Sequence, residues 1–561
     1  MSTPEQRRGP AGRLALVLLL PGLSACGPGR EEPGPYDFSG ITLAWRACAL
    51  HEGGPGLDAE CAAASLPRHW SAPGDGQRFL VGAKRRLGTR ATAQLWLLHG
   101  GPGASGVLGL PPLMESLQAD APWLDVYTLD PRGAGVSEYL GCPEQEAPES
   151  PGGSAITEGE YDACIQHLVA SHGQDLSLFG ATAAAIDLAA LMHATREPGK
   201  PAFVWGGSAG TFWAQRFLQI FPRGADGVIL EGVLPADQSM VFQDEHVEKT
   251  GREVLARCRA DAACAARLPD PEGSLQTLVG LLEGGHCAAL GLDAGALKNV
   301  LWQILYYRPH LGTLPALVFR LTRCSAADRQ AVAHYLEALF RPAPDRSMST
   351  ALHFNQMFSE LWEQARFTDN AALRAYLDEV HADAYLALDA GHMRNELFLR
   401  WPRYHDPLDD GWAESSVPLL MLQGELDPAT PYELARAMTA RFTAAHQTLV
   451  SFPNVPHNAI SGSALSTFPG ATTCGQRLWL AFMQAPEAPL DAGCAARVLP
   501  IDLEGRIYGG YFFGTTDYWS ESAVRRAPEP LPPALRTAAA ELAARLRQAL
   551  PALARRVDAG L

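Results

Sequence analysis

Short apolar runs alternate along this chain with longer Ala- and Leu-rich stretches, and the two patterns call for different elements. The runs AQLWLL, WLDVYTL, AFVW, GVIL, VPLLML and QTLVSF are rich in branched and aromatic residues and are bounded by turn residues, which marks buried strands. Their apolarity is continuous rather than alternating, as in a parallel sheet covered on both faces. AAAIDLAALMHAT and TFWAQRFLQIF are the helices between them. The predicted fold class is therefore α/β, a mostly parallel sheet with helices on both faces. From about Gln238 to about Asp410 the pattern becomes helical, rich in Ala, Leu, Arg and Tyr, with no strand series. The sheet is thus expected in two parts, 41–237 and 411–520, split by a helical cap insertion over 238–410 and followed by a helical extension over 521–561. In open α/β folds ligands bind at the carboxyl ends of the strands, the edge such a cap covers.

The chemistry falls on those same strand ends. Gly206-Gly207-Ser208-Ala209-Gly210 lies between AFVW and TFWAQRFLQIF, a G-x-S-x-G at a strand-to-helix turn. Such an elbow exposes the serine, and its close approaches leave room only for small neighbours. A serine hydroxyl is a weak nucleophile at neutral pH and needs a base that is itself oriented by an acid. Asp427 and His457 each follow a strand and complete the chain order Ser, Asp, His. Asp406, Asp409 and Asp410 precede the strand, and His446 precedes its own, so they are poorer candidates. The loop His99-Gly100-Gly101-Pro102-Gly103 follows a strand directly, and the N–H groups of Gly101 and Ala209 are expected to hold a tetrahedral oxyanion.

Other residues carry less. Glu231, closing the strand GVILEG, and Glu396, in the insertion, are candidate carboxylates for a substrate ammonium. Trp302, Tyr306 and Tyr307 either line a pocket or belong to the core of the insertion. His381, Asp383, His392 and Glu396 can be drawn as a metal cluster, but no H-E-x-x-H accompanies them, and chance at the surface explains them better. No Walker A loop or dinucleotide fingerprint stands in a suitable context, so neither a cofactor nor a metal is expected.

Composition sets the compartment. At 47% hydrophobic and 19% charged residues, the chain can build a large core and is not a disordered polymer. Its formal charge of −16 repels phosphate backbones, which argues against nucleic acid as a partner. Residues 1–25 carry Arg7, Arg8 and Arg13 before a short apolar run, the pattern of an export signal. The run ends Leu23-Ser24-Ala25-Cys26, which resembles the lipobox of bacterial lipoproteins. Cys26 would then carry the lipid that anchors the protein to a membrane, and the Pro/Gly-rich residues 26–40 would form a tether. Setting Cys26 aside leaves an even ten of the 11 cysteines, which suits an oxidising compartment. Pairing of sequence neighbours is one of many connectivities open to them.

Taken together, HGGPG, Asp130-Pro131-Arg132-Gly133-Ala134-Gly135-Val136-Ser137, GGSAG, GELDPATP and the late histidine resemble the peptidase family of prolyl iminopeptidases and tripeptidyl aminopeptidases. The likeness runs from about Ile41 to about Trp519, and the late FFGTTDYW segment is closest to the tripeptidyl aminopeptidase branch. It implies an α/β-hydrolase fold and a serine aminopeptidase acting on free N-termini. Three positions depart from the family's habit: Ala209 for an aromatic residue, Pro131 for glutamine, and Asn454-Val455-Pro456 before the histidine. A carboxylesterase on the same fold is the nearest alternative, with a small ester as substrate. An inactive surface-tethered binding lipoprotein is another. Epoxide hydrolases and dehalogenases use an aspartate at the elbow, where this chain has Ser208.

Overall fold

Nine strands form one sheet in a computed structural model of the chain. It describes residues 36–522 apart from 55, 154–155, 340–345, 363–365, 388, 410 and 469. The expectations for residues 1–25, for Cys26 and most of the tether, and for nearly all of the 521–561 extension lie outside the described residues.

The strands are β1 (Arg46–Cys48), β2 (Ala59–Pro67), β3 (Arg78–Arg86), β4 (Ala93–Leu98), β5 (Leu124–Leu129), β6 (Ala202–Gly207), β7 (Gly227–Glu231), β8 (Leu419–Gly424) and β9 (Gln447–Phe452). Their order across the sheet is β1-β2-β3-β5-β4-β6-β7-β8-β9. The pairs β1/β2, β2/β3 and β3/β5 are antiparallel, and β5, β4, β6, β7, β8 and β9 run parallel. Every residue of β4, β5 and β8 is buried, which is why these strands read as unbroken apolar runs.

Helix packing follows from side-chain size. Helix α1 (Ala181–Thr195) is nearly all Ala and Leu over its buried turns, and its small residues let it lie close against α2 (Ala209–Ile220). On the other face, Trp205 of β6 stacks on Trp479 of the late helix Cys474–Gln484, with ring centroids 5.8 Å apart. Arg132 of the DPRG segment is buried and donates to both carboxylate oxygens of Asp187 in α1, and to the carbonyls of Pro67 and Arg68. A buried guanidinium needs such a full set of partners.

Between β7 and β8 the chain is helical among the described residues. This segment includes α3 (Gln243–Ala260), α4 (Ala294–Ile304), α5 (Asn370–Ala382) and α6 (Ala390–Arg400). Its apolar core runs from Val247 through Leu301 and Leu317 to Tyr335 and takes in Phe512, Tyr518 and Trp519 from the late chain. With the parallel sheet and its split order, this is the α/β-hydrolase fold. All ten described cysteines are bridged between sequence neighbours: Cys48–Cys61, Cys142–Cys164, Cys258–Cys264, Cys287–Cys324 and Cys474–Cys494. Five bridges mark a protein of an oxidising, extracellular or periplasmic compartment. No helix among the described residues is long and apolar enough to cross a membrane.

Candidate active site

Parallel register brings the chemistry to one edge. Leu98 pairs with Gly206, Gly207 with Glu231, Glu231 with Leu422, and Gly424 with Phe452, so β4, β6, β7, β8 and β9 end together. The loops that follow carry the HGGPG turn, Ser208, Asp427 and His457.

Ser208 has φ 56° and ψ −126°, a left-handed conformation that a side chain occupies only under constraint. The constraints are visible. Its N–H donates to the Glu231 carbonyl at 2.8 Å, and its own carbonyl accepts from the Thr211 N–H at 2.8 Å and hydroxyl at 2.6 Å. A Cβ at Gly206 would stand 2.3 Å from the Gly210 carbonyl oxygen, and one at Gly210 would stand 2.3 Å from the Leu98 carbonyl oxygen. Those two collisions explain the glycines of G-x-S-x-G. Ala209 opens α2, so its N–H is one of the four that a helix start leaves without an intrahelical acceptor.

The HGGPG loop is pinned from both sides. Gly101 and Gly103 have φ of +117° and +94°. The Gly100 N–H donates to His99 Nδ1 at 2.7 Å. From the helical segment, His353 Nδ1 donates to the Pro102 carbonyl at 3.1 Å, and the Ser349 N–H donates to the Gly103 carbonyl at 3.0 Å. The loop therefore presents Gly101 beside the serine, with its backbone already fixed.

Asp427 and His457 are brought together: Nδ1 of His457 stands 2.8 Å from Oδ2 of Asp427. Both are buried, at 3% and 7% exposure. The aspartate accepts further bonds from the Ala429 and Thr430 N–H groups, the Thr430 hydroxyl and Gln423 Nε2. A carboxylate oxygen accepts, so Nδ1 is the donor of this pair and Nε2 is turned away from Asp427. That Nε2 is buried and has no hydrogen-bond partner among the described residues, so the Ser208 hydroxyl is not bonded to it here. Such contacts are commonly longer before substrate binds. The imidazole lies on Gly232, where a Cβ would be 2.8 Å from its Cε1, next to the Glu231 carbonyl that holds Ser208.

The competing acids go elsewhere. Asp406 and Asp409 pair with the buried Arg216 at 3.2 and 2.5 Å, Asp410 lies outside the described residues, and His446 is exposed.

A cavity of about 350 Å³ opens over Ser208, lined by Gly101 and Ala209 from the core and by Asn299, Trp302, Gln303, Tyr306, Met393 and Arg394 from the helical segment. Tyr306 meets the His457 ring edge-on at 5.8 Å, whereas Tyr307 is packed in the core of the insertion. Gln243 links Arg394 to this corner: it accepts from Arg394 and donates to the Tyr306 hydroxyl at 2.8 Å. Burial pushes the Tyr161 hydroxyl, also on the wall, up to about 12, so it stays protonated at neutral pH.

Two candidate carboxylates are placed away from this cavity. Glu231 accepts from the Ile460 N–H at 2.7 Å and lines a smaller cavity with Trp205 and Trp479, steadying the segment just past His457. Glu396 forms an exposed ion pair with Arg374. Glu158 is the one carboxylate among the described residues on the Ser208 cavity wall. Glu158 is not among the sequence candidates; it lies within a short helical turn capped by Thr157 and Glu160.

Of the four residues drawn as a metal cluster, only His381 and His392 come together, around Asp389, with Asp383 and Glu396 apart. Their ring nitrogens meet carboxylates: His381 Nε2 stands 3.3 Å from Asp244 and Asp389, and His392 stands 2.5 Å from Asp389 and 3.0 Å from Asp378.

The profile of a family described as TAP-like protein matches residues 398–494, the stretch that carries Asp427 and His457. No curated protein matches the chain. Solved structures similar to it include an esterase from Exiguobacterium antarcticum, 12% identical over 68% of this chain and 89% of that one, with a TM-score of 0.28. An epoxide hydrolase from Vigna radiata is 14% identical over 68% and 88%, with a TM-score of 0.27. A hydrolase from Pseudomonas aeruginosa is 13% identical over 70% and 91%, with a TM-score of 0.30.

Proposed function

We propose that this hydrolase is an exported serine aminopeptidase that releases residues or short peptides from free N-termini. The observation that carries the reading is the 2.8 Å contact of His457 Nδ1 with Asp427, beside a strained serine at the carboxyl edge of the sheet. His457 Nε2 takes the proton of the Ser208 hydroxyl as its oxygen attacks the scissile carbonyl. The oxyanion is held by the N–H groups of Gly101 and Ala209, groups already fixed in place before the charge develops. His457 then protonates the leaving amine, and water, activated by the same base, releases the acyl group. Asp427 keeps the proton on Nδ1 and offsets the charge of the imidazolium.

An aminopeptidase must also bind an α-ammonium. Glu158 is assigned that role in place of Glu231 and Glu396, because it alone of the three lines the Ser208 cavity. Export is supported by the five disulfides, and attachment to a membrane through lipid on Cys26 remains part of the proposal.

Labelling with a fluorophosphonate probe tests the nucleophile: Ser208→Ala should abolish both labelling and turnover, and a variant that still labels rejects the assignment. Turnover of free peptides but not of N-acetylated ones is expected. Turnover of short acyl esters alone would replace the peptidase reading with a carboxylesterase.

A further inference from the structure

One face of α4 concentrates unpaired polar groups above Ser208. Asn299, Trp302 and Gln303 follow helical spacing, and all three line the cavity that contains Ser208. They are buried, at 4%, 5% and 7% exposure. Asn299 Oδ1, Trp302 Nε1 and Gln303 Oε1 each have no hydrogen-bond partner among the described residues. Buried polar atoms are nearly always paired, and each orphan costs about 1–3 kcal/mol. Leu or Met at these positions would pack a cap at no such cost. Three orphans on one helical face, at the wall of the reactive cavity, point to a ligand that supplies the missing partners.

The chemistry of the three selects the ligand. A primary amide offers one acceptor and two donors, which complements the N–H and C=O of a peptide unit whichever way the amide is turned. Asn299 and Gln303 are four residues apart, a rise of about 6 Å along the helix. Peptide groups facing the same way in an extended chain recur at about 6.8 Å. The indole N–H of Trp302 donates to a carbonyl. A cation stacked on Trp302 fits poorly, because the Arg394 guanidinium already lies over that ring at 5.1 Å, and the substrate ammonium is left to Glu158. A simple acyl ester has no peptide unit and leaves all three unpaired.

We propose that Asn299, Trp302 and Gln303 form a subsite that reads the main chain of an extended peptide on the acyl side of the scissile bond. The inference rests on the peptidase reading, and adds to it a reason for peptide over ester.

The test compares kcat/KM on a tripeptide p-nitroanilide and on p-nitrophenyl acetate for the full-length protein and for Asn299→Leu and Gln303→Met. Each substitution should lower the peptide-to-acetate ratio by on the order of tenfold, chiefly through a higher KM for the peptide. Gln303→Met preserves length and helix propensity, so it decides the matter if Asn299→Leu does not fold. A ratio that stays within about twofold of wild type, in a folded variant, overturns the subsite and leaves the peptidase reading standing. A wild-type protein that cleaves acetate but no peptide overturns both.

Discussion

Gly100 lies so close to Ser208 that a Cβ at position 100 would stand 2.7 Å from the serine Cβ and 2.8 Å from the Gly207 carbonyl oxygen. Neither neighbour is a flexible side-chain end, so the loop itself must give way. Gly100→Ala is expected to keep the fold, since the sheet core is untouched, and to carry the Gly101 N–H away from the serine. Loss of one oxyanion donor lowers kcat by about 10²–10³ while KM changes little. Steady-state kinetics beside a thermal melt would check it; a rise in KM alongside the fall in kcat, with lost melting cooperativity, would mean that the loop supports the fold instead.

Asp427 accepts bonds from two backbone N–H groups, a hydroxyl and an amide besides His457. Asp427→Asn should fold, because the two backbone N–H groups keep their bonds to the remaining carbonyl oxygen and Gln423 Nε2 keeps its bond to the Thr430 carbonyl. Its amide, however, would donate to Nδ1 and force the proton onto Nε2, the wrong tautomer for a base. A loss of about 10⁴ in kcat follows. A variant near full activity would move the acid elsewhere.

What the sequence made legible were the features enforced by backbone crowding. The Ser208 elbow, the HGGPG loop and the strand-end positions of Asp427 and His457 all follow from contacts that admit only glycine or from continuous burial in a parallel sheet. The three antiparallel strands β1 to β3 were less legible. β2 reads AECAAASLP, whose alanines have little strand propensity, and its place is secured by eight paired residues on β3 and the Cys48–Cys61 bridge. Glu231 misled because a residue closing a strand can turn either way, and here Ile460 claims its carboxylate. Glu158 and the α4 face were hidden for a related reason: which residues of a helical insertion look onto a distant serine depends on tertiary packing alone.

Cys287 and Cys324 close a loop of 37 residues inside the helical segment. Constraint of the unfolded chain makes such a bridge worth about 4 kcal/mol. Replacing both by serine should lower the urea unfolding free energy by that order, with the sheet unaffected. Equilibrium denaturation followed by tryptophan fluorescence checks it, and an unchanged midpoint would show that the helical core alone holds this region.

Asp130 sits at the base of the loop that carries Gly101, and its protonation should be readable in stability. It is fully buried and accepts from the Ser105 hydroxyl at 2.6 Å, the Val107 N–H at 2.9 Å and the Val136 N–H at 2.7 Å. Burial nevertheless outweighs these bonds and the pull of Lys84, raising its carboxyl from 3.8 to about 6. The folded state therefore holds a proton that the unfolded chain has already released between about pH 4 and pH 6. This contribution to stability is full below the unfolded value and is lost as pH rises through the folded one, a decline of about 3 kcal/mol. Asp130→Asn keeps an acceptor for Ser105 and Val107 but turns an amide toward the Val136 N–H, so the variant should be less stable overall. Its distinguishing mark is a flatter profile: across that pH window its unfolding free energy should fall by less than that of the wild type. Parallel denaturation curves at stepped pH would measure this, and identical slopes would assign the titration to another group.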